Sequence, residues 1–249
     1  MKTYPQLNYR RIPLLFALTI VLILAACGTT TSTKSIQRVA TPLPTQPVSG
    51  QQLLTGPVTY VALGASDAVG VGTNTPQTQG YVPLLAQKLP RGSHLINLGV
   101  SGIHLHEALS EELPLALSTN PRLITIWLVA NDFIANVPYN SYMQDLNTLL
   151  MRLRSATHAR IVMANLPDLT RLPVFSRLNK QQKAATLATI QRWNARIADI
   201  ASHYNVSIVD LMSQASLLTS HPEYISGDGF HPSAAGYAQL ANLFWQSIR

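Results

Sequence analysis

The sequence predicts a doubly wound α/β sandwich built around a five-stranded parallel sheet. Apolar residues make up 47% of the 249-residue chain and charged residues only 12%, a composition that supports a buried core. Five short apolar runs, rich in β-branched residues, occur between residues 58 and 211. Segments with helical periodicity separate these runs, and this alternation is typical of a parallel sheet covered by helices.

The predicted strands are continuous apolar runs, as expected for strands that are buried on both faces. Each run is bounded by polar residues or by Gly and Pro. They span 58–64, 95–98, 123–130, 160–166 and 206–211. Because such sheets place their sites beyond the carboxyl ends of the strands, polar residues at those ends are candidates for function.

Helices are predicted where apolar residues recur three or four positions apart. They span 80–89, 104–117, 141–156, 179–204 and 233–248. One apolar stripe of the fourth helix is predicted to face the core: Ile190, Trp193, Ile197, Ile200 and Tyr204. In the last helix Ser233 is the predicted N-cap, and the core face is formed by Leu240, Phe244 and Ile248.

The amino terminus has the pattern of a secretory signal. Lys2, Arg10 and Arg11 precede an uncharged apolar run over 12–26, which is short of the roughly 20 residues that span a bilayer. An uncleaved membrane anchor is the alternative. The run ends in Leu24-Ala25-Ala26-Cys27, which resembles the lipobox of bacterial lipoproteins. This resemblance implies cleavage before Cys27, a diacylglyceryl thioether on its sulfur, and an extracytoplasmic protein that is lipid-anchored to the cell membrane.

The chain divides into three parts on this interpretation: a signal peptide (1–26), the lipidated cysteine with a flexible tether (27–56), and one domain (57–249). The tether is rich in Thr, Ser and Pro and has no helical or strand period. As a flexible coil it would span about 30 Å.

Charge and cysteine content exclude two classes of protein. The formal net charge is +7, but five of the eighteen Lys and Arg residues and none of the acidic residues precede residue 57. The domain is therefore nearly neutral, which argues against a nucleic-acid partner. The only cysteine is Cys27, so the chain has no intramolecular disulfide and no cysteine-based zinc site.

The ends of the predicted strands carry the groups of a serine hydrolase. Ser66 follows the first strand among small residues that permit a tight turn. A serine needs a base, and the base needs a carboxylate to fix its tautomer. Asp228 and His231 lie three residues apart near the end of the chain and supply both.

Donors for an oxyanion are predicted after the second and third strands. We expect them to be the backbone N–H of Gly99, the side-chain amide of Asn131 and the backbone N–H of Ser66.

The order Ser66, Gly99, Asn131 and His231 resembles that of the SGNH or GDSL-type hydrolases, named for these four residue types in four separated blocks. The resemblance spans about 58–239, and Asp228-x-x-His231-Pro232 is its most specific part. It implies a three-layer α/β/α fold of the flavodoxin-like type and hydrolysis of acyl esters. Two residues depart from the family pattern: Ala65 stands where the family has Asp, and Val129 where it has Gly. We expect Val129 to narrow the acyl pocket or to shift the backbone beside Asn131.

Other polar residues have simpler interpretations. Asp132 is expected to cap a helix or to bond loop backbone, and neither it nor Asp67 is the predicted acid of the triad. Seven histidines include one close pair, His104-x-His106, but no carboxylate or thiol completes a metal site.

The sequence therefore predicts a membrane-tethered extracytoplasmic serine esterase that acts without a cofactor or a metal. Its substrate could be a small acyl ester, a lipid such as a lysophospholipid, or an O-acylated glycan. Two alternatives remain open: a non-catalytic lipoprotein that binds a glycan or lipid on the same fold, and an acyltransferase that uses a sugar in place of water.

Overall fold

The computed structural model of the protein describes residues 56–249. The predicted signal peptide, Cys27 and the tether as far as residue 55 lie outside the described residues. Among residues 56–249, no helix combines the length and the apolar character that crossing a membrane requires.

A five-stranded, wholly parallel sheet confirms the predicted α/β fold, and its strand order is β2-β1-β3-β4-β5. The strands are β1 (Thr59–Gly64), β2 (His94–Asn97), β3 (Leu123–Trp127), β4 (Arg160–Ala164) and β5 (Ser207–Val209). Every residue of β3 is buried, as the apolar run predicted. The register pairs Gly64 with Trp127, so β1 and β3 end side by side and their following loops meet.

The strands are shorter than most of the apolar runs that predicted them. The run 123–130 is strand only as far as Trp127, and residues 130–134 form a helix that begins after Val129. Leu128 and Val129 are each 2% exposed. Their apolar character therefore reflects burial in the core, which strands and turns share, and it does not mark the end of the strand.

Ten α-helices surround the sheet in residues 56–249. They are α1 (Ser66–Val69), α2 (Pro76–Gln79), α3 (Tyr81–Ala86), α4 (Leu105–Glu111), α5 (Leu113–Ser118), α6 (Ala130–Ile134), α7 (Tyr139–Ala156), α8 (Lys180–His203), α9 (Ala215–Ser220) and α10 (Ala234–Ile248). Periodicity did not predict α1, α2, α6 and α9, whose four to six residues are too few to show a repeat.

The helix predicted over 104–117 is interrupted at Glu112 and forms α4 and α5. Pro114 stands in the first turn of α5, where the missing N–H of proline costs nothing. Within one continuous helix the same proline would remove a backbone hydrogen bond.

Helices cover both faces of the sheet. On one face α10 packs on α3, β4 and β5, while α4, α5, α7 and α8 form a second connected layer. Ile190, Trp193, Ile197 and Ile200 of α8 are buried as predicted, whereas Tyr204 is half-buried. The predicted N-cap of α10 is confirmed, because Ser233 Oγ accepts the Gly236 N–H at 3.2 Å.

Candidate active site

The β1–α1 turn positions Ser66. Strand β1 ends at Gly64, and Ser66 is the first residue of α1, where it is 8% exposed. Gly64 is required in this turn because a Cβ on it would lie 2.7 Å from the Cβ of Ala68. This close approach holds Ser66 at the carboxyl edge of the sheet.

Ser66, His231 and Asp228 form a continuous hydrogen-bonded chain. His231 Nε2 lies 2.9 Å from Ser66 Oγ, and His231 Nδ1 lies 2.6 Å from Asp228 Oδ2. An ionised carboxylate only accepts, so the ring proton belongs on Nδ1 and Nε2 is free to accept the Ser66 proton. The structure thus brings Ser66 to a pair of residues that lie more than 160 positions further along the chain.

Asp228 is held by its own loop. Its Oδ1 accepts hydrogen bonds from Ser226 Oγ at 2.7 Å and from the Phe230 and His231 N–H groups at 2.8 and 2.9 Å. Burial opposes the charge of this carboxylate. The hydrogen bonds from His231, Phe230 and Ser226 outweigh that effect, and the pKa of Asp228 lies well below its ordinary value.

The Asp228 loop has a fixed shape. Ser226 N–H donates to the His231 carbonyl at 2.8 Å and closes the loop, while Gly229 has a φ of +74°, which favours glycine. The Gly229 carbonyl accepts the Val174 N–H at 3.3 Å. The backbone that carries the His231 imidazole is therefore hydrogen-bonded both within its own loop and to the loop after β4.

The three predicted oxyanion donors differ in whether their N–H groups are already hydrogen-bonded within the protein. One N–H of the Asn131 amide donates to the Ile103 carbonyl at 2.9 Å, which leaves the second N–H for a ligand. The Ser66 N–H has no partner within residues 56–249. The Gly99 N–H, in contrast, donates to Asn97 Oδ1 at 3.1 Å, so this donor is already engaged.

Gly102 offers the donor that Gly99 does not. Its N–H has no partner in the described part of the chain, and it lines an open cavity of about 410 Å³ together with Asn131. Its φ of +83° favours glycine, and no atom lies within 4 Å of where a Cβ would stand. The Ser101-Gly102 pair is a turn signal in the sequence, but only the hydrogen bonds distinguish Gly102 from Gly99.

Asp132 bonds loop backbone, as predicted. It is 2% exposed, and its two carboxylate oxygens lie 3.3 and 3.1 Å from the N–H of Leu105, the first residue of α4. Burial raises the pKa of Asp132 to about 6. Its carboxylate therefore fixes the start of α4 and does not contact His231.

Asp67 lies beside Ser66 but outside the hydrogen-bonded chain. It is 7% exposed, and its burial raises the pKa of the carboxyl to about 6. The charge of nearby His231 and a hydrogen bond with Tyr237 lower this pKa but do not outweigh the burial.

Glu112 is a polar core residue that the sequence interpretation missed. It is 1% exposed, and its Oε2 accepts the N–H of Gly64 at 3.0 Å, two residues before Ser66. Burial raises the pKa of Glu112 to about 8. Pro114, two residues after Glu112 inside the predicted helix 104–117, is the signal in the sequence that could have drawn attention to it.

Three of the six histidines outside the site, His104, His106 and His221, have carboxylate partners. His104 and Glu107 form a capping box at the start of α4, His106 Nδ1 lies 3.2 Å from an Asp145 oxygen, and His221 pairs with Glu223. Within residues 56–249, no three His, Cys, Asp or Glu residues are grouped as a metal site would require.

The two departures from the family pattern do not disturb the hydrogen-bonded chain. Ala65 is 6% exposed, and its carbonyl accepts the N–H groups of Ala68 and Val69 at the start of α1. Val129 is buried in the core and does not line the open cavity that contains Gly102 and Asn131. Its effect on the acyl pocket stays a prediction.

Several solved structures share this fold. An acetyl xylan esterase, AlAXEase, is 17% identical with a TM-score of 0.61, covering 77% of this chain and 100% of that one. TesA is 22% identical with a TM-score of 0.58, covering 77% and 98%. Axe2, an acetylxylan esterase from Geobacillus stearothermophilus, is 17% identical with a TM-score of 0.63, covering 79% and 96%. No curated protein matches the sequence significantly.

Residues 62–239 match the GDSL-like lipase/acylhydrolase family. The match covers more than half of the chain and includes the β1–α1 turn, the loops after β2 and β3, and the Asp228 loop. The chain therefore belongs to the GDSL-like lipase/acylhydrolase family and is a carboxylic ester hydrolase.

Proposed function

We propose that the protein hydrolyses acyl esters through an acyl-enzyme on Ser66, with His231 as general base and Asp228 as its orienting acid. The observation that carries this proposal is the unbroken chain from Ser66 Oγ through His231 to Asp228, with spacings of 2.9 and 2.6 Å. The 2.9 Å distance lies within the range for proton transfer from a nucleophile to its base. The 2.6 Å distance is a hydrogen bond through which the carboxylate orients the imidazole.

Acylation begins when Ser66 Oγ attacks the ester carbonyl carbon and His231 Nε2 takes the hydroxyl proton. The tetrahedral intermediate carries its negative charge on the former carbonyl oxygen. When the intermediate collapses, the bond to the alcohol oxygen breaks and His231 returns the proton to that oxygen. Water then attacks the acyl-enzyme by the same route and releases the acid.

Asp228 stabilises the imidazolium that exists in each intermediate. Three hydrogen bonds to its Oδ1 hold the carboxylate in place, so Oδ2 stays directed at His231 Nδ1. Because the pKa of Asp228 is low, the carboxylate remains charged over the pH range in which a histidine can act as base.

The oxyanion is bound by the Ser66 N–H, the Gly102 N–H and the second N–H of the Asn131 amide. Gly102 takes the place predicted for Gly99, whose N–H is engaged by Asn97. Such preorganised donors act mainly in the transition state, where the negative charge develops.

We also propose that the protein is lipid-anchored on Cys27 and extracytoplasmic. The support is in the sequence: a basic start, the apolar run 12–26, and small residues directly before Cys27. More than one acyl chain on Cys27 would hold the protein stably on a membrane.

A fluorophosphonate probe tests the covalent step. We expect stoichiometric labelling of the wild-type protein on Ser66, located by peptide mass spectrometry, and none in Ser66→Ala. A correctly folded wild-type protein that hydrolyses no ester and takes up no probe would show a non-catalytic binder on the same fold.

A further inference from the structure

A second cavity, which has no part in the proposed acyl-enzyme mechanism, lies behind the Asp228 loop. It has a volume of about 110 Å³ and is lined mainly by apolar side chains of the loops after β3, β4 and β5 and of α9 and α10. Its polar lining residues are Asp67, Gln214 and Gln239. A wholly apolar cavity of about 150 Å³ binds benzene, so by volume alone this one has room for a few methylene groups.

The cavity adjoins the catalytic residues. Asp67, Ala130 and Pro232 line it, and each is the direct chain neighbour of Ser66, Asn131 or His231. The cavity therefore lies against the chain segments that carry these three residues.

Phe230 joins the two cavities. Its side chain lines both the cavity behind the loop and the open cavity that contains Gly102 and Asn131. Its ring packs edge-on against the imidazole of His231, with 4.9 Å between the ring centroids. The Phe230 side chain, which lines both cavities, therefore lies beside the catalytic base.

The proposed mechanism fixes the positions of two substrate oxygens. The carbonyl oxygen must lie on the Gly102 and Asn131 donors, which line the open cavity. The leaving oxygen must lie within reach of His231 Nε2 to receive its proton. The group attached to that oxygen therefore starts next to His231 and Phe230.

We propose that the cavity behind Phe230 binds the apolar part of the substrate's alcohol, so that the protein favours esters of apolar alcohols over esters of sugars. This inference rests on the proposed acyl-enzyme mechanism. It does not require any residue of the hydrogen-bonded chain to change its role.

Two series of esters test the inference with the full-length protein. The first keeps the acetyl group and lengthens the alcohol from ethyl to butyl and hexyl; the second keeps ethanol and lengthens the acyl group equally. We compare kcat/KM, which reports the acylation step even if all acetates share a slow deacylation. Each methylene buried is worth up to about a fourfold gain. We expect hexyl acetate to exceed ethyl acetate at least tenfold.

Leu218, on α9, lines the cavity, and Leu218→Trp is expected to fill it. Leu115→Trp is the matched control, because Leu115 is 55% exposed on α5 and lines neither cavity. We expect Leu218→Trp to lower the hexyl-to-ethyl acetate ratio at least fivefold, and Leu115→Trp to leave it unchanged. Ile134→Trp, which fills the open cavity, should instead alter the acyl series.

Two results would overturn the inference. In the first, Leu218→Trp has the same ratio of kcat/KM for hexyl acetate to kcat/KM for ethyl acetate as the wild type. The other is a Leu218→Trp effect confined to the acyl series, which would assign the cavity to the acyl chain. In both cases labelling of Ser66 and turnover of ethyl acetate by the wild type would still support the proposed mechanism, so the two failures are distinguishable.

Discussion

At the scale of single residues, Ser66 and His231 depend on each other in the proposed mechanism, because the hydroxyl is a weak nucleophile without the imidazole. We expect Ser66→Ala and His231→Ala each to remove nearly all turnover, and the double variant to lose no more than either single one. Initial rates with ethyl acetate measure this. Ser110→Ala, an exposed serine on α4, is the control. Residual turnover near the wild-type rate in Ser66→Ala would refute the mechanism.

In the proposed mechanism, Asn131 contributes one hydrogen-bond donor to the oxyanion. We expect Asn131→Ala to lower kcat by about 10²–10³ with little change in KM, since this hydrogen bond strengthens in the transition state. The Asn131 amide also bonds the Ile103 carbonyl, so circular dichroism must first show that the variant is folded. An effect on KM alone would mean that Asn131 binds the substrate and does not stabilise the intermediate.

Asp228 and Asp132 both adjoin the site, and the structure gives them different contacts. Asp228 contacts the imidazole, whereas Asp132 contacts the N–H of Leu105. We expect Asp228→Ala to be severe for kcat, although an imidazole held by water retains some activity as base. The opposite pattern, with acylation abolished in Asp132→Ala and near normal in Asp228→Ala, would show that our choice of acid is wrong.

At the scale of the secondary-structure elements, Asp132 joins α6 to the start of α4. Removing a buried acceptor leaves the Leu105 N–H without a partner, which typically costs about 1–3 kcal/mol. We expect Asp132→Ala to lower the Tm clearly while its loss of kcat stays well below that of Asn131→Ala. Thermal unfolding followed by circular dichroism, together with initial rates, tests both halves of this prediction.

Glu112 joins the break between α4 and α5 to the end of β1. Its pKa is raised by burial from an ordinary 4.5 to about 8, so the folded state favours the protonated carboxyl. The stability that Glu112 contributes to the folded state is therefore complete below pH 4.5 and is lost as the pH rises towards 8. Over this range the free energy of unfolding falls by at most about 1.4 kcal/mol per pH unit.

Glu112→Gln cannot ionise and should lack this dependence on pH. We expect the free energy of unfolding of the wild type, relative to Glu112→Gln, to fall between pH 5 and 8, as measured by urea unfolding at each pH. The comparison isolates Glu112, because Asp67 and Asp132 titrate in both proteins. A constant difference across this range would show that Glu112 keeps an ordinary pKa.

For the whole molecule, the proposed anchor on Cys27 decides where the enzyme acts. We expect Cys27→Ser to leave the signal peptide uncleaved or to release the protein in soluble form, because the thioether cannot form. Cell fractionation and mass spectrometry of the mature amino terminus measure this outcome. A wild-type protein bound to membranes with Met1 intact would instead support an uncleaved anchor.

The sequence by itself determined the alternation of strands and helices, the parallel sheet, and the pairing of Asp228 with His231. These features depend on local periodicity and on short spacing along the chain, which a single sequence displays. The same reasoning overestimated several strands, because Leu128 and Val129 are buried outside any strand.

Only the tertiary structure decided which glycine offers a free N–H, that Glu112 is buried beneath the β1–α1 turn, and that Phe230 lines two cavities. Each of these depends on contacts between residues that are distant in the sequence or on the direction of one side chain, as with Asn97 and Gly99. Periodicity reports which face of an element is buried, but it contains no information about which atoms meet when five strands and their loops come together.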